Sequence, residues 1–160
     1  MRCAVVAQDL GHRCGYVEIP EGHPWHGKDY DDDVPDAQPI PEDATTDGYG
    51  MGGSIALLGG RQGVERFEHT MAGQVQAHGG LTYAAKGLTG VDKEGWWIGF
   101  DCAHLGDAKD KTIQSAEYRR IEREFGLTES GRVWTLDAVV TEVEKLAEQI
   151  PLPHKEKGTG

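Results

Sequence analysis

The clearest periodicity lies near the C-terminal end, where Leu136, Val139, Val140, Val143, Leu146, Ala147 and Ile150 recur at spacings of three and four. Glu142, Glu144, Lys145 and Glu148 fall between them. This spacing predicts a helix with one apolar stripe, capped by Thr135 and stopped by Pro151. A second, more charged helix is predicted over residues 112–125, anchored by Ile113, Ala116, Ile121 and Phe125 and closed by Gly126. Alternation predicts strands over residues 3–7 and 15–19, the second ended by Pro20. A strand pair is predicted at 74–77 and 81–84, joined through His78, Gly79 and Gly80, where both glycines can take positive φ. Residues 96–102 form the most apolar strand. Trp96, Ile98 and Phe100 share one face, while Trp97, Gly99 and Asp101 share the other, because strand side chains alternate. The first face reads as core. The second offers an aromatic, a missing side chain and a carboxylate, as a strand lining a pocket does.

Between these elements the character changes. Residues 21–53 are rich in Gly, Pro and Asp, with Pro35, Pro39 and Pro41 denying the segment a regular ladder. A loop of that length is usually functional or mobile. Residues 48–63, GYGMGGSIALLGGRQG, lack the Gly-Lys-Ser/Thr ending of a phosphate loop and are expected to be a flexible connection. The fold class expected is α+β, a mostly antiparallel sheet with two C-terminal helices packed on one face. A chain of 160 residues suits one domain. Residues 1–154 are assigned to it, with a variable Gly/Pro/Asp-rich segment at 28–73 and a polar tail, KEKGTG, at 155–160.

Charge narrows the partners. Sixteen Lys and Arg against 27 Asp and Glu leave a net charge of -11, so nucleic acid and anionic membranes are not expected to bind. The one clustered basic run, Arg119, Arg120 and Arg123, is interleaved with Glu117, Glu122 and Glu124 and reads as a solvated helix face. The early apolar run ends at Gln8 and Asp9, short of a signal sequence, and no stretch approaches the roughly 20 apolar residues of a membrane span. A cytoplasmic location is therefore expected. Cys3, Cys14 and Cys102 are an odd set, read as reduced thiols and as small hydrophobes by default.

His23, His26, His78 and His104, with Asp101, Cys102 and Asp107, are the side chains that carry chemistry. Zinc takes such donors, four of them or three plus water, but none here stands at the compact spacing of a zinc motif. No cofactor is expected on that ground, with zinc or another divalent metal as the alternative. Cys102 needs a histidine base to act as a nucleophile. Asp101, His104 and Asp107 can serve as a general acid–base set. Binding without turnover asks for less: Tyr16, Trp25, Tyr83 and Trp97 supply flat faces, and Gly79 and Gly80 let backbone amides approach a phosphate. The expected ligand-binding set is therefore Tyr16, His23, Trp25, His26, His78, Gly79, Gly80, Tyr83, Trp97, Asp101, His104 and Asp107.

The segments GHRCGYVEIPEGHPWHGKDY (11–30), HGGLTYA (78–84) and WWIGFDCAHLGD (96–107) together resemble a group of small uncharacterised proteins encoded by phages and bacteria. The resemblance covers the first thirty residues, the centre and the closing helix. It implies a phage or mobile-element setting, and hence a host cytoplasm, without residue roles. On that basis the expected function is sequestration of a small nucleotide-derived immune signal, as an anti-defence sponge. One alternative is a metal-dependent hydrolase of a phosphoester or nucleotide-like substrate, using His78, Asp101, Cys102 and His104. Another is an acidic partner-binding module built on Asp29, Asp31, Asp32, Asp33 and Asp36. A homodimer or higher homo-oligomer is the expected assembly.

Overall fold

Alternation along four strands sorts the side chains onto two faces of one antiparallel sheet. In the computed structural model, which describes residues 1–127 and 129–153, these strands are β1 (Cys3–Ala7), β2 (Arg13–Ile19), β3 (Tyr83–Leu88) and β4 (Asp92–Asp101), in the order β1-β2-β4-β3. The tail expected at 155–160 lies outside the described residues. In the β2–β4 register, Val17 faces Ile98 and Ile19 faces Trp96. Val17, Ile19, Ile98 and Phe100 are buried on one side with Val139, Val143 and Leu146. Those three come from the C-terminal helix, where Thr135 Oγ1 accepts from Ala138 N and caps the first turn.

The opposite face carries its own apolar cluster of Cys14, Tyr16, Leu88 and Trp97. Arg2 covers it: the guanidinium lies 5.5 Å from the Trp97 ring centroid and pairs with both Glu18 and Asp92. The space left by Gly99 is filled from within, since a β-carbon there would stand 2.4 Å from Tyr16 Cδ1. The strand face expected to line a pocket is packed instead.

The fold is thus α+β with a mostly antiparallel sheet, and it departs from expectation in three places. Residues 48–63, expected as a flexible connection, belong to a short 3₁₀ turn at Thr46–Tyr49 followed by α1 (Gly50–Leu58) and α2 (Gly60–Glu68). Gly63 lets α2 pass α1 closely, a β-carbon there standing 2.3 Å from Ala56 O. The strand pair expected around His78 does not form. Residues Met71–Gln74 are a single helical turn, α3, and the chain beyond it has other partners: Gln76 N donates to Gln149 Oε1 and Ala77 N to Gly48 O. β3 pairs with β4.

The third departure concerns the helices after the sheet. Helix α4 (Ala116–Glu124) is capped by Ser115, but it turns no apolar stripe onto the sheet. Its inward group is Glu122, which accepts from Lys109 Nζ at 2.6 Å, from Lys111 Nζ and from Gln114 Nε2. Phe125, expected as an apolar anchor, is 74% exposed. With Ile121 as its one large aliphatic residue, this segment cannot form the stripe that a sheet-packed helix needs. The C-terminal helix α5 (Leu136–Gln149) alone takes that place. Between α4's two flanks, β5 (Asp107–Ala108) and β6 (Arg132–Val133) form a two-residue parallel ladder pairing Asp107 with Arg132. Among the described residues no helix is long and apolar enough to cross a membrane.

Candidate functional site

Strand β4 ends at Asp101, and the alternation that would separate Asp101 from His104 ends with it. A tight turn follows, in which Asp107 N donates to His104 O at 2.9 Å and His104 N donates to Asp107 Oδ2 at 2.9 Å. The turn therefore aims the Asp107 carboxylate back over itself. A second turn, closed by Gly80 N donating to Ala77 O at 2.8 Å, brings His78 to the same point. His78 Nε2 lies 2.9 and 2.8 Å from the two Asp107 oxygens, and His104 Nδ1 lies 3.5 Å from Oδ2. One donor atom from each of His78, His104 and Asp107 falls within 4.8 Å of the others.

The surroundings of this trio are ordered. Trp134 Nε1 donates to Asp107 Oδ1 at 3.0 Å, and the Trp134 ring lies 4.2 Å from that of His78. The two imidazoles meet edge to face at 5.2 Å. Asp101 stands beside them, its Oδ1 3.6 Å from His104 Nε2, held by donors from Thr82 Oγ1 and Ala103 N at 3.0 Å each. The Asp107 side chain is 4% exposed while those of His78 and His104 are 24% and 30% exposed, so the cluster has a buried floor and an open rim. His104 Nδ1 is buried and makes no hydrogen bond.

Burial alone would raise the Asp107 carboxyl, but donors from His78, the His104 backbone and Trp134 outweigh it and hold the group below the usual carboxylate range. An ionised carboxylate with two imidazoles is a donor set that suits zinc. Ions with bonds of about 2.1 Å keep tetrahedral ligands roughly 3.4 Å apart. The His104 Nδ1–Asp107 Oδ2 separation of 3.5 Å matches this, while His78 Nε2, at hydrogen-bond distance from Asp107, would give up that bond and draw back to ligate. Trp134 Nε1 and the His104 backbone amide would be the outer hydrogen bonds that orient Asp107 as a ligand. Three protein ligands leave one position for water or substrate.

Of the residues expected at a site, the structure brings together His78, Asp101, His104 and Asp107, with Gly79 against the His104 ring. Gly80 lies under the first turn of α1, where a β-carbon would stand 2.6 Å from Tyr49 O. The others go elsewhere. Tyr16 and Tyr83 pack edge to face at 5.2 Å on the second sheet face beside Trp97, which is 1% exposed. Trp25 is 2% exposed in the main core, its backbone N donating to His23 Nδ1, while His23 Nε2 meets Pro151 O at 2.6 Å. His26 lies against Trp96. Cys102 is buried, and that burial pushes its thiol up to about 12, which keeps it protonated and a poor nucleophile. Thr82 and Trp134 bond the carboxylates of the cluster without having been singled out from sequence. A lone tryptophan in the polar stretch SGRVWT was the available signal for Trp134.

No family model, curated protein or solved structure matches this chain.

Proposed function

We propose that His78, His104 and Asp107 hold a divalent metal ion, zinc by ligand type, and that the protein hydrolyses a phosphoester in a small nucleotide-like molecule. The observation that carries this reading is the convergence of three donor atoms within 4.8 Å around a buried, ionised carboxylate. An ion with three protein ligands keeps a site for water and brings the pKa of that water to about 7. The chemistry such an ion would supply is a hydroxide able to add to phosphorus as the bond to the leaving oxygen breaks. Asp101, the carboxylate beside His104, would take the proton lost by that water and return it to the leaving oxygen. Asp107 takes the place that Cys102 held in the hydrolase expected from sequence.

Sequestration without turnover draws on the same cluster. Its stacking platform is reduced, because Trp25 and Trp97 are buried and Trp134 is the aromatic that reaches the cluster. In the phage setting that the sequence resemblance implies, either reading takes a nucleotide-derived signal as the molecule acted upon.

The test is metal analysis of the purified protein after loading with zinc or manganese, followed by incubation with cyclic and linear nucleotides and ADP-ribose. One ion per chain, lost in His78→Ala and His104→Ala, with product formed by the loaded protein, is the expected result. Failure to bind any ion overturns the reading. A bound ion with ligand recovered intact on heating replaces hydrolysis by sequestration.

A further inference from the structure

We infer that Arg132 is the anion-docking residue of this site and takes a phosphate group of the substrate. The inference rests on the site proposed above for its setting, but its own support is separate. In the β5–β6 ladder Arg132 is the register partner of Asp107, with Arg132 N donating to Gly106 O at 2.9 Å. Paired residues in a ladder project to the same side. Trp134 lies just beyond the strand, and its contacts with Asp107 and Arg132 place its ring between them. The indole bond from Trp134 to Asp107 fits that geometry.

The Arg132 guanidinium carbon lies 4.0 Å from the Trp134 ring centroid, and the His78 ring lies 4.2 Å from the same indole. Trp134 thus joins a cation to the histidine–carboxylate cluster. The attraction between a guanidinium and an indole face holds the group flat without using its N–H donors. Among the described residues Arg132 forms no ion pair and no side-chain hydrogen bond, in a chain with 27 carboxylates and a net charge of -11. Arg2, Arg13, Arg61 and Arg120 each have an acidic partner, whereas Arg66, Arg119 and Arg123 have none among the described residues, so what sets Arg132 apart is its place on the Trp134 ring.

A guanidinium fork matches two oxygens of a phosphate, and a lysine at the same place supplies only a point charge. An ion at the cluster and Arg132 on the same indole would be the two positive charges available to a phosphate at this site. The substrate class is therefore a phosphate monoester or diester, and Arg132 sets the specificity for it.

The probes are inorganic phosphate, AMP and adenosine, titrated calorimetrically into metal-free and zinc-loaded protein. Wild-type protein is expected to bind AMP at least tenfold more tightly than adenosine. Arg132→Gln should weaken phosphate and AMP at least tenfold while leaving adenosine and zinc content unchanged, and Arg132→Lys should restore part of the loss. Equal AMP affinity in wild type and Arg132→Gln, no preference for AMP over adenosine, or no binding of phosphate and AMP by wild type each overturns the inference. The two proposals fail separately. Loss of AMP affinity in Arg132→Gln without any zinc binding removes the metal centre and keeps the docking role, whereas zinc binding with an unchanged Arg132→Gln does the reverse. Arg132 is exposed, so a shared melting temperature checks that the variant is folded.

Discussion

Gly79 lies directly against the His104 imidazole: a β-carbon there would stand 2.2 Å from His104 Cε1 and 2.5 Å from Nδ1. Gly79 also has φ +70°, a conformation that costs other residues about 1–2 kcal/mol. The turn that carries one candidate ligand thereby fixes the place of the other. Gly79→Ala must move the His104 ring or the turn. We expect a stability loss of about 1–3 kcal/mol and a fall in zinc affinity of at least tenfold, as for other losses of ligand orientation. Calorimetric zinc titration beside thermal melting checks both. A destabilised variant that binds zinc as tightly as wild type would remove His104 from the ligand set.

Asp107 is the hub of the cluster, accepting from Trp134, from the His104 backbone and from His78. Asp107→Asn keeps the shape but removes the charge and turns one acceptor into a donor facing donors. The expected cost is about 2 kcal/mol, from buried donors left unpaired. Metal content should fall to background. A variant that is less stable yet still carries one ion would make Asp107 a support of the turn and leave the ion to the two histidines.

Sequence pattern exposed the parts of this fold that repeat. Strands β1 and β2 and helix α5 were legible because Val17 and Ile19 alternate and Val139, Val143 and Leu146 recur at helical spacing. Helices α1 and α2 were hidden by glycine, whose helix propensity is about 1 kcal/mol worse than that of alanine. There Gly63 serves close packing and not mobility. At the site, His78, Asp101, His104 and Asp107 stood out by residue type alone. Arg132 and Trp134 did not, because a two-residue ladder joining positions 25 apart leaves no periodic trace. The aromatic candidates misled for a related reason: alternation placed Trp97 off the main core correctly but could not reveal that Arg2 and Leu88 bury the second face as well.

Trp97 separates core from pocket experimentally. It is 1% exposed, with its Nε1 buried and unpaired, and it supports Tyr16 and Leu88 on the second sheet face. Trp97→Ala should cost about 3–5 kcal/mol, the usual range for a large buried aromatic. Trp97→Phe keeps much of the volume and removes an unpaired N–H, so it should cost far less. Neither should alter zinc affinity in the folded protein. Denaturant unfolding with parallel zinc titrations decides the matter, and selective loss of ligand binding in a fully stable Trp97→Phe would return Trp97 to the pocket.

Glu122 gives the protein an acid-sensitive link next to the site. Hydrogen bonds from Lys109 and Lys111 hold its carboxyl at about 2, below the ordinary 4.5, and Lys109 follows directly on the strand that carries Asp107. The folded state therefore binds fewer protons at this group than the unfolded state does. Its stabilisation is complete above about pH 4.5 and is lost as pH falls from there towards 2. Asp110, held at about 2 by Thr112 and Arg13, adds to the same slope. Glu122→Gln should cost about 2 kcal/mol at neutral pH, less than a fully buried pair because Lys111 is more than half exposed. It should also flatten the decline in stability between pH 4.5 and 2 without abolishing it, since Asp110 remains. Urea midpoints at pH 7, 4 and 2.5 measure this directly. Parallel curves for the variant and wild type would show that the lysines stabilise Glu122 no more in the folded chain than water does in the unfolded one.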